Sequence, residues 1–125
     1  MTLGRALIAV TLAAVAAGWS QGAQGSQGDV LLVLGGRAAE SPALVARARA
    51  AAERPHTELR ITRTPAEELG VTHLFAARRY ATVVAVDLDA RVSVTPVAER
   101  YPTTRFVTVG AEPGAIQRAL ATVTR

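Results

Sequence analysis

Four short apolar segments, residues 30–34, 57–62, 82–86 and 105–109, start 27, 25 and 23 residues apart, and each is followed by a stretch with helical character. That rhythm predicts a βα repeat. Strands joined through helices run in the same direction, so the sheet is expected to be parallel and to lie between two helical layers. Val30-Leu31-Leu32-Val33-Leu34 and Val83-Val84-Ala85-Val86 are continuously apolar, as strands buried on both faces must be. Leu59-Arg60-Ile61-Thr62 and Val107-Thr108-Val109 alternate, which suits edge positions. With right-handed crossovers the expected class is α/β: a three-layer βα repeat around a four-stranded parallel sheet of order 2-1-3-4, half of a doubly wound fold.

The intervening helices are marked by their ends. Thr64-Pro65-Ala66-Glu67 places a capping hydroxyl, a proline at the first helical position and a glutamate three residues on. The helix that follows is expected to bend or restart near Thr72, because Gly70 lies inside it, and then to reach Arg79. Over residues 42–54, Leu44, Val45, Ala48 and Ala52 share a face, the pattern of a helix packed on a sheet. Val94, Val97, Ala98 and Tyr101 share another, and Pro96 confines that helix to a start near the proline. Ile116, Leu120 and Val123 form the last stripe, behind Pro113.

Residues 1–28 carry one charge, Arg5, then an apolar run over residues 6–19 and a polar stretch of small residues. This is the order of a secretory signal. The apolar run is shorter than the roughly 20 residues needed to cross a bilayer core. Cleavage before Ser26 is expected, giving a signal peptide over residues 1–25 and a single α/β domain over residues 26–125. Val15-Ala16-Ala17-Gly18-Trp19-Ser20 is similar to a bacterial lipoprotein processing site with Trp in place of the acylated Cys, so export without lipidation is expected. Contact with a membrane would come only through an uncleaved signal segment.

Composition removes several chemistries. The chain has no Cys, and all 14 of its basic residues are Arg, which excludes disulfides, thiolate sites, thiol catalysis and every Lys-based mechanism. The net charge of +4 is spread along the chain, with no basic run beside stacking aromatics, so nucleic acid is not an expected partner. His56 and His73 have no partner at metal-ligand spacing and are read as surface residues, and no Ser sits in a nucleophile elbow.

In a doubly wound sheet, ligands bind beyond the carboxyl ends of the strands where the winding reverses, here between the first and third strands. Two loops meet there, Gly35-Gly36-Arg37-Ala38-Ala39-Glu40-Ser41 and Asp87-Leu88-Asp89-Ala90-Arg91. The candidate ligand-binding residues are Gly35, Gly36, Arg37, Ser41, Asp87 and Asp89. Glycines let the backbone turn and approach a ligand, and a helix starting at Ser41 offers amide donors to an anion. The glycine pattern is too short for a dinucleotide, so no cofactor is expected.

Val84-Ala85-Val86-Asp87-Leu88-Asp89 resembles the first motif of the haloacid dehalogenase-like phosphatases, which would give Asp87 and Asp89 a Mg²⁺-dependent role. It departs from that family at Ala90-Arg91, lies on the third strand and has no Lys or later acidic pair. The competing reading is that both aspartates pair with Arg37 or Arg91 or cap the next helix.

Residues 81–86 and the run Val97-Ala98-Glu99-Arg100-Tyr101-Pro102-Thr103-Thr104-Arg105-Phe106-Val107 resemble a strand, helix and next strand of the basic membrane protein family, the nucleoside-binding lipoproteins of bacterial ABC importers. The likeness extends over residues 29–110 and implies the amino-terminal lobe of a type I periplasmic-binding-protein-like fold, with a nucleoside as ligand. Where that family's ligand loop reads Asp-x-Ser-Phe-Asn, this chain has Ala39-Glu40-Ser41-Pro42-Ala43, keeping only Ser41, and Gly110 stands where an acidic residue often follows the fourth strand. The chain stops at Arg125, so the resemblance implies a truncated lobe.

Three functions follow as expectations. The first is a non-enzymatic exported relative of these substrate-binding proteins whose ligand site is degenerate or incomplete. The second is a weak small-ligand module acting with a partner or as a homodimer through the edge of the fourth strand. The third is a Mg²⁺-dependent phosphatase using Asp87 and Asp89.

Overall fold

A computed structural model describes residues 29–123; the expected signal peptide and the Trp19 processing-site likeness lie outside them. Four strands, β1 (Val30–Leu34), β2 (Thr57–Ile61), β3 (Thr82–Val86) and β4 (Arg105–Val109), form one parallel sheet in the order β2-β1-β3-β4. The α/β class, the parallel sheet and its order are those expected from the spacing of the apolar segments.

The sheet is sandwiched because its two inner strands are apolar at every position but the first of β3, Thr82. Val30, Leu32 and Leu34 of β1, with Val84 and Val86 of β3, pack against Ala38, Leu44, Ala48, Ile116, Ala119 and Leu120. These come from α1 (Gly36–Glu40), α2 (Pro42–Ala51) and α6 (Ala115–Val123). On the opposite face, Leu31, Val33, Val83 and Ala85 pack against Phe75 and Val94. This second layer is built from α3 (Pro65–Ala77), α4 (Ala90–Ser93) and α5 (Thr95–Arg100). Every residue of β1 and β3 is buried, whereas β2 and β4 are half-exposed at most positions. Among the described residues no helix is long and apolar enough to cross a membrane.

Several local expectations are corrected. Residues 36–40, read as a loop, form α1. The helix α3 runs unbroken through Gly70 and stops at Ala77, because Glu68, Thr72, Phe75 and Ala76 are buried on both sides of the glycine and hold the turn that Gly alone disfavours. Its Thr64 hydroxyl accepts from the Glu67 amide at 3.2 Å, but the Glu67 carboxylate accepts from the Arg63 amide at 2.6 Å, one residue ahead of the usual reciprocal cap. Residues 90–101 divide into α4 and α5 around Val94, with Pro96 in the first turn of α5, where a missing amide breaks no helical bond. The α2 helix ends at Ala51, and Ala52 is its half-buried C-cap instead of a core position.

Candidate functional site

The carboxyl ends of β1 and β3 meet as expected, and the contacts there are made largely within the protein. Gly35 leaves β1 in an extended conformation, and its amide donates to the Val86 carbonyl at 3.0 Å. It caps α1 with no side chain of its own. The cap comes from across the sheet: Asp87 Oδ2 accepts from the Arg37 amide at 2.7 Å. Asp87 itself adopts φ +60°, a left-handed conformation that Asp tolerates better than most residues, while its amide donates to the Val109 carbonyl at 2.8 Å. The carboxylate therefore sits at the N-terminus of α1, where negative charge is favoured.

Both glycines are explained by this closeness. A Cβ on Gly36, whose φ is +51°, would stand 2.7 Å from the Asp87 carbonyl oxygen and 2.8 Å from Oδ2. A Cβ on Gly35 would stand 2.5 Å from Glu68 Oε2 and 3.1 Å from Thr62 Oγ1. Each leaves room for a neighbouring protein group to approach the backbone.

Glu68, which no sequence motif singles out, organises the other side of this rim. It is only 4% exposed. Its Oε1 accepts from the Asp89 amide at 3.1 Å and from the Ser93 hydroxyl at 3.0 Å, which ties α3 to both ends of α4. The Thr72 hydroxyl reaches the Ser93 carbonyl at 2.7 Å and adds a second link between the same helices. Buried polar groups need such partners, since an unmade bond there costs about 1–3 kcal/mol. The available sequence signal was helical: Glu68 shares a face with Thr72 and Phe75.

Asp89 caps α4 by accepting from the Arg91 amide at 3.2 Å. Ser41 caps α2 by accepting from the Leu44 amide at 3.2 Å, so one of the donors expected to be free for an anion is already used. Asp87 and Asp89 are thus each committed to the start of a different helix. Among the described residues no three acidic or histidine side chains are gathered as a metal would need. His56 lies in an exposed turn, its Nδ1 3.4 Å from Asp29 Oδ1. His73 is not the surface residue expected: it is half-buried, with Nε2 3.3 Å from the Tyr101 hydroxyl.

A cleft of about 680 Å³ remains, lined by Arg37, Ser41, Leu44, Asp87, Ala111 and Glu112. It brings together three of the six candidate residues, Arg37, Ser41 and Asp87. Gly35 is buried beneath the rim, Asp89 stands at α4, and Gly36 opens on a smaller cleft with Ile61 and Thr62. Glu112 supplies a carboxylate past β4, two residues beyond the Gly110 position to which the family pattern points. It folds over that glycine, so that a Cβ there would collide with its Oε1, and it faces Arg118 at 3.8 Å. The cleft thus offers one guanidinium, two carboxylates, one hydroxyl already acting as a cap, and a small apolar wall.

Compared with protein-family models, curated proteins and solved structures, the chain matches none.

Proposed function

We propose that this chain is a non-enzymatic exported protein on the plan of the substrate-binding lobes of the basic membrane protein family, with a degenerate ligand site. The observation that supports this reading is the hydrogen bond from the Arg37 amide to Asp87. An internal carboxylate at the switch point occupies one backbone donor that a bound ligand could use, and its charge repels anionic ligands from the same place. The aromatic residue that would stack on a nucleobase is also missing from residues 39–43. Enclosure normally supplies much of a small ligand's affinity, and the cleft residues at hand are few and mostly polar.

The experiment is a thermal-shift series with purine and pyrimidine nucleosides at millimolar concentration. A ligand that binds only the native state must raise Tm. The expected result is no shift. The cleft itself favours a second reading, a weak module for a small neutral or zwitterionic molecule, because it presents both signs of charge. A nucleoside-dependent rise in Tm that disappears in Arg37→Ala would establish that reading and displace the first. Mg²⁺-dependent phosphatase turnover, lost in Asp87→Asn, would overturn both.

A further inference from the structure

Among the described residues β2 pairs only with β1, so no strand lies along its outer edge. The hydrogen bonds from the Val30 amide to the His56 carbonyl and from the Thr62 amide to the Leu34 carbonyl, both 2.9 Å, set the phase of this ladder. In a parallel pair alternate residues bond to one neighbour, so the even-numbered residues of β2 serve β1. Thr57, Leu59 and Ile61 then present their amides and carbonyls outward, where the Leu59 carbonyl accepts from the Arg60 guanidinium at 3.2 Å, a bond that an incoming strand's amide must share or replace.

The side chains on either side of the middle position carry opposite charges. Glu58 and Arg60 lie on one face of the sheet, form an ion pair with each other and keep 40% and 43% of their side-chain surfaces exposed. The Arg60 guanidinium also lies 5.0 Å from the centre of the Phe75 ring, which holds it beside the edge.

We infer that the β2 edge pairs antiparallel with the β2 edge of a second copy, centred on Leu59, to make an eight-stranded sheet. This register follows from the two observations together. A two-fold axis at Leu59 makes Leu59 and its equivalent exchange both backbone hydrogen bonds and sets Thr57 opposite the partner's Ile61. It also sets Glu58 opposite the partner's Arg60, and the reverse, in the pair class where side chains approach most closely. Moving the centre to residue 58 or 60, the neighbouring registers that still pair the outward groups, sets Glu58 against Glu58 or Arg60 against Arg60 and loses both charge pairs. The β4 edge has no such code: centred on Val107 it would oppose Phe106 to Thr108 and Arg105 to Val109. Five residues a side make a small interface, so the dimer is a weak one.

The test is sedimentation of the full chain across a concentration series, with Glu58→Arg and Arg60→Glu made separately. Far-UV circular dichroism establishes that each variant is folded. The expected result is a concentration-dependent dimer that each reversal weakens about tenfold or more, since both cross-strand pairs become repulsive. An equimolar mixture of the two variants must recover the dimer, because one strand then carries arginine at both positions and the strand facing it carries glutamate at both. Concentration-dependent protection of the Leu59 amide from hydrogen exchange reads the same edge in the unaltered chain and does not depend on the variants folding. A chain that stays monomeric, a dimer indifferent to both reversals, a mixture that does not recover, or a Leu59 amide protected equally at all concentrations would each overturn the proposal. The last two would point to another surface, such as the β4 edge, or to cover from this chain's own residues 1–28.

Discussion

At the scale of single residues, glycine has opposite meanings at two positions. Gly36 is at φ +51° against the Asp87 backbone, whereas Gly70 lies in the interior of α3 with open space where a Cβ would go. Gly36→Ala should therefore destabilise the protein by about 1–3 kcal/mol, from strain and displacement of Asp87. Gly70→Ala should stabilise it by about 0.5–1 kcal/mol, since the added methyl only improves helix propensity. Urea unfolding of the two variants beside the parent checks both signs. The sequence showed two adjacent glycines after β1 but not their purpose. That purpose depends on Asp87 and Glu68, which approach from distant parts of the chain.

At the scale of elements, the burial pattern separates inner from outer strands as the apolar pattern implied. Leu32 in β1 is fully buried between α2, α6 and the flanking strands, while Val107 in β4 is half-buried. Leu32→Ala is expected to cost about 2–5 kcal/mol, the range for an enclosed side chain whose cavity cannot collapse. Val107→Ala should cost roughly 1 kcal/mol, as partly exposed truncations do. Denaturant midpoints that ranked these in reverse would contradict the sheet order. Helix boundaries were less legible. The short α1 has no sequence signature of its own, since its N-cap is glycine and its capping carboxylate comes from the end of β3. The continuity of α3 through Gly70 likewise depends on what its neighbours bury, which propensity does not reveal.

For the whole molecule, composition makes alkaline behaviour unusually simple. The chain has no Lys, no Cys and two tyrosines, Tyr80 and Tyr101. Burial raises the Tyr80 phenol above its ordinary value of 10.0, with smaller contributions from Glu58 and Asp29. The native state therefore holds this proton more tightly than the unfolded chain. Its contribution to stability is complete below about pH 10 and is lost as pH rises through the raised native value. In Tyr101→Phe, where Tyr80 is the remaining tyrosine, phenolate absorbance should appear above about pH 10 in the folded protein, and global stability should fall over the same interval. Tyr80→Phe should remove that part of the fall.

The sequence by itself determined the α/β class, the strand order and the two segments that meet at the switch point, because hydrophobic periodicity and spacing are local and were enough to say which strands are buried on both faces. Tertiary structure alone decided what those segments do. Asp87 caps α1, Glu68 links α3 to α4, and Glu112 reaches the cleft from beyond β4, each joining groups that are adjacent only once the sheet has formed. A carboxylate's partners are set by distances of about 3 Å between segments far apart in the chain, and no one-dimensional pattern encodes such a distance.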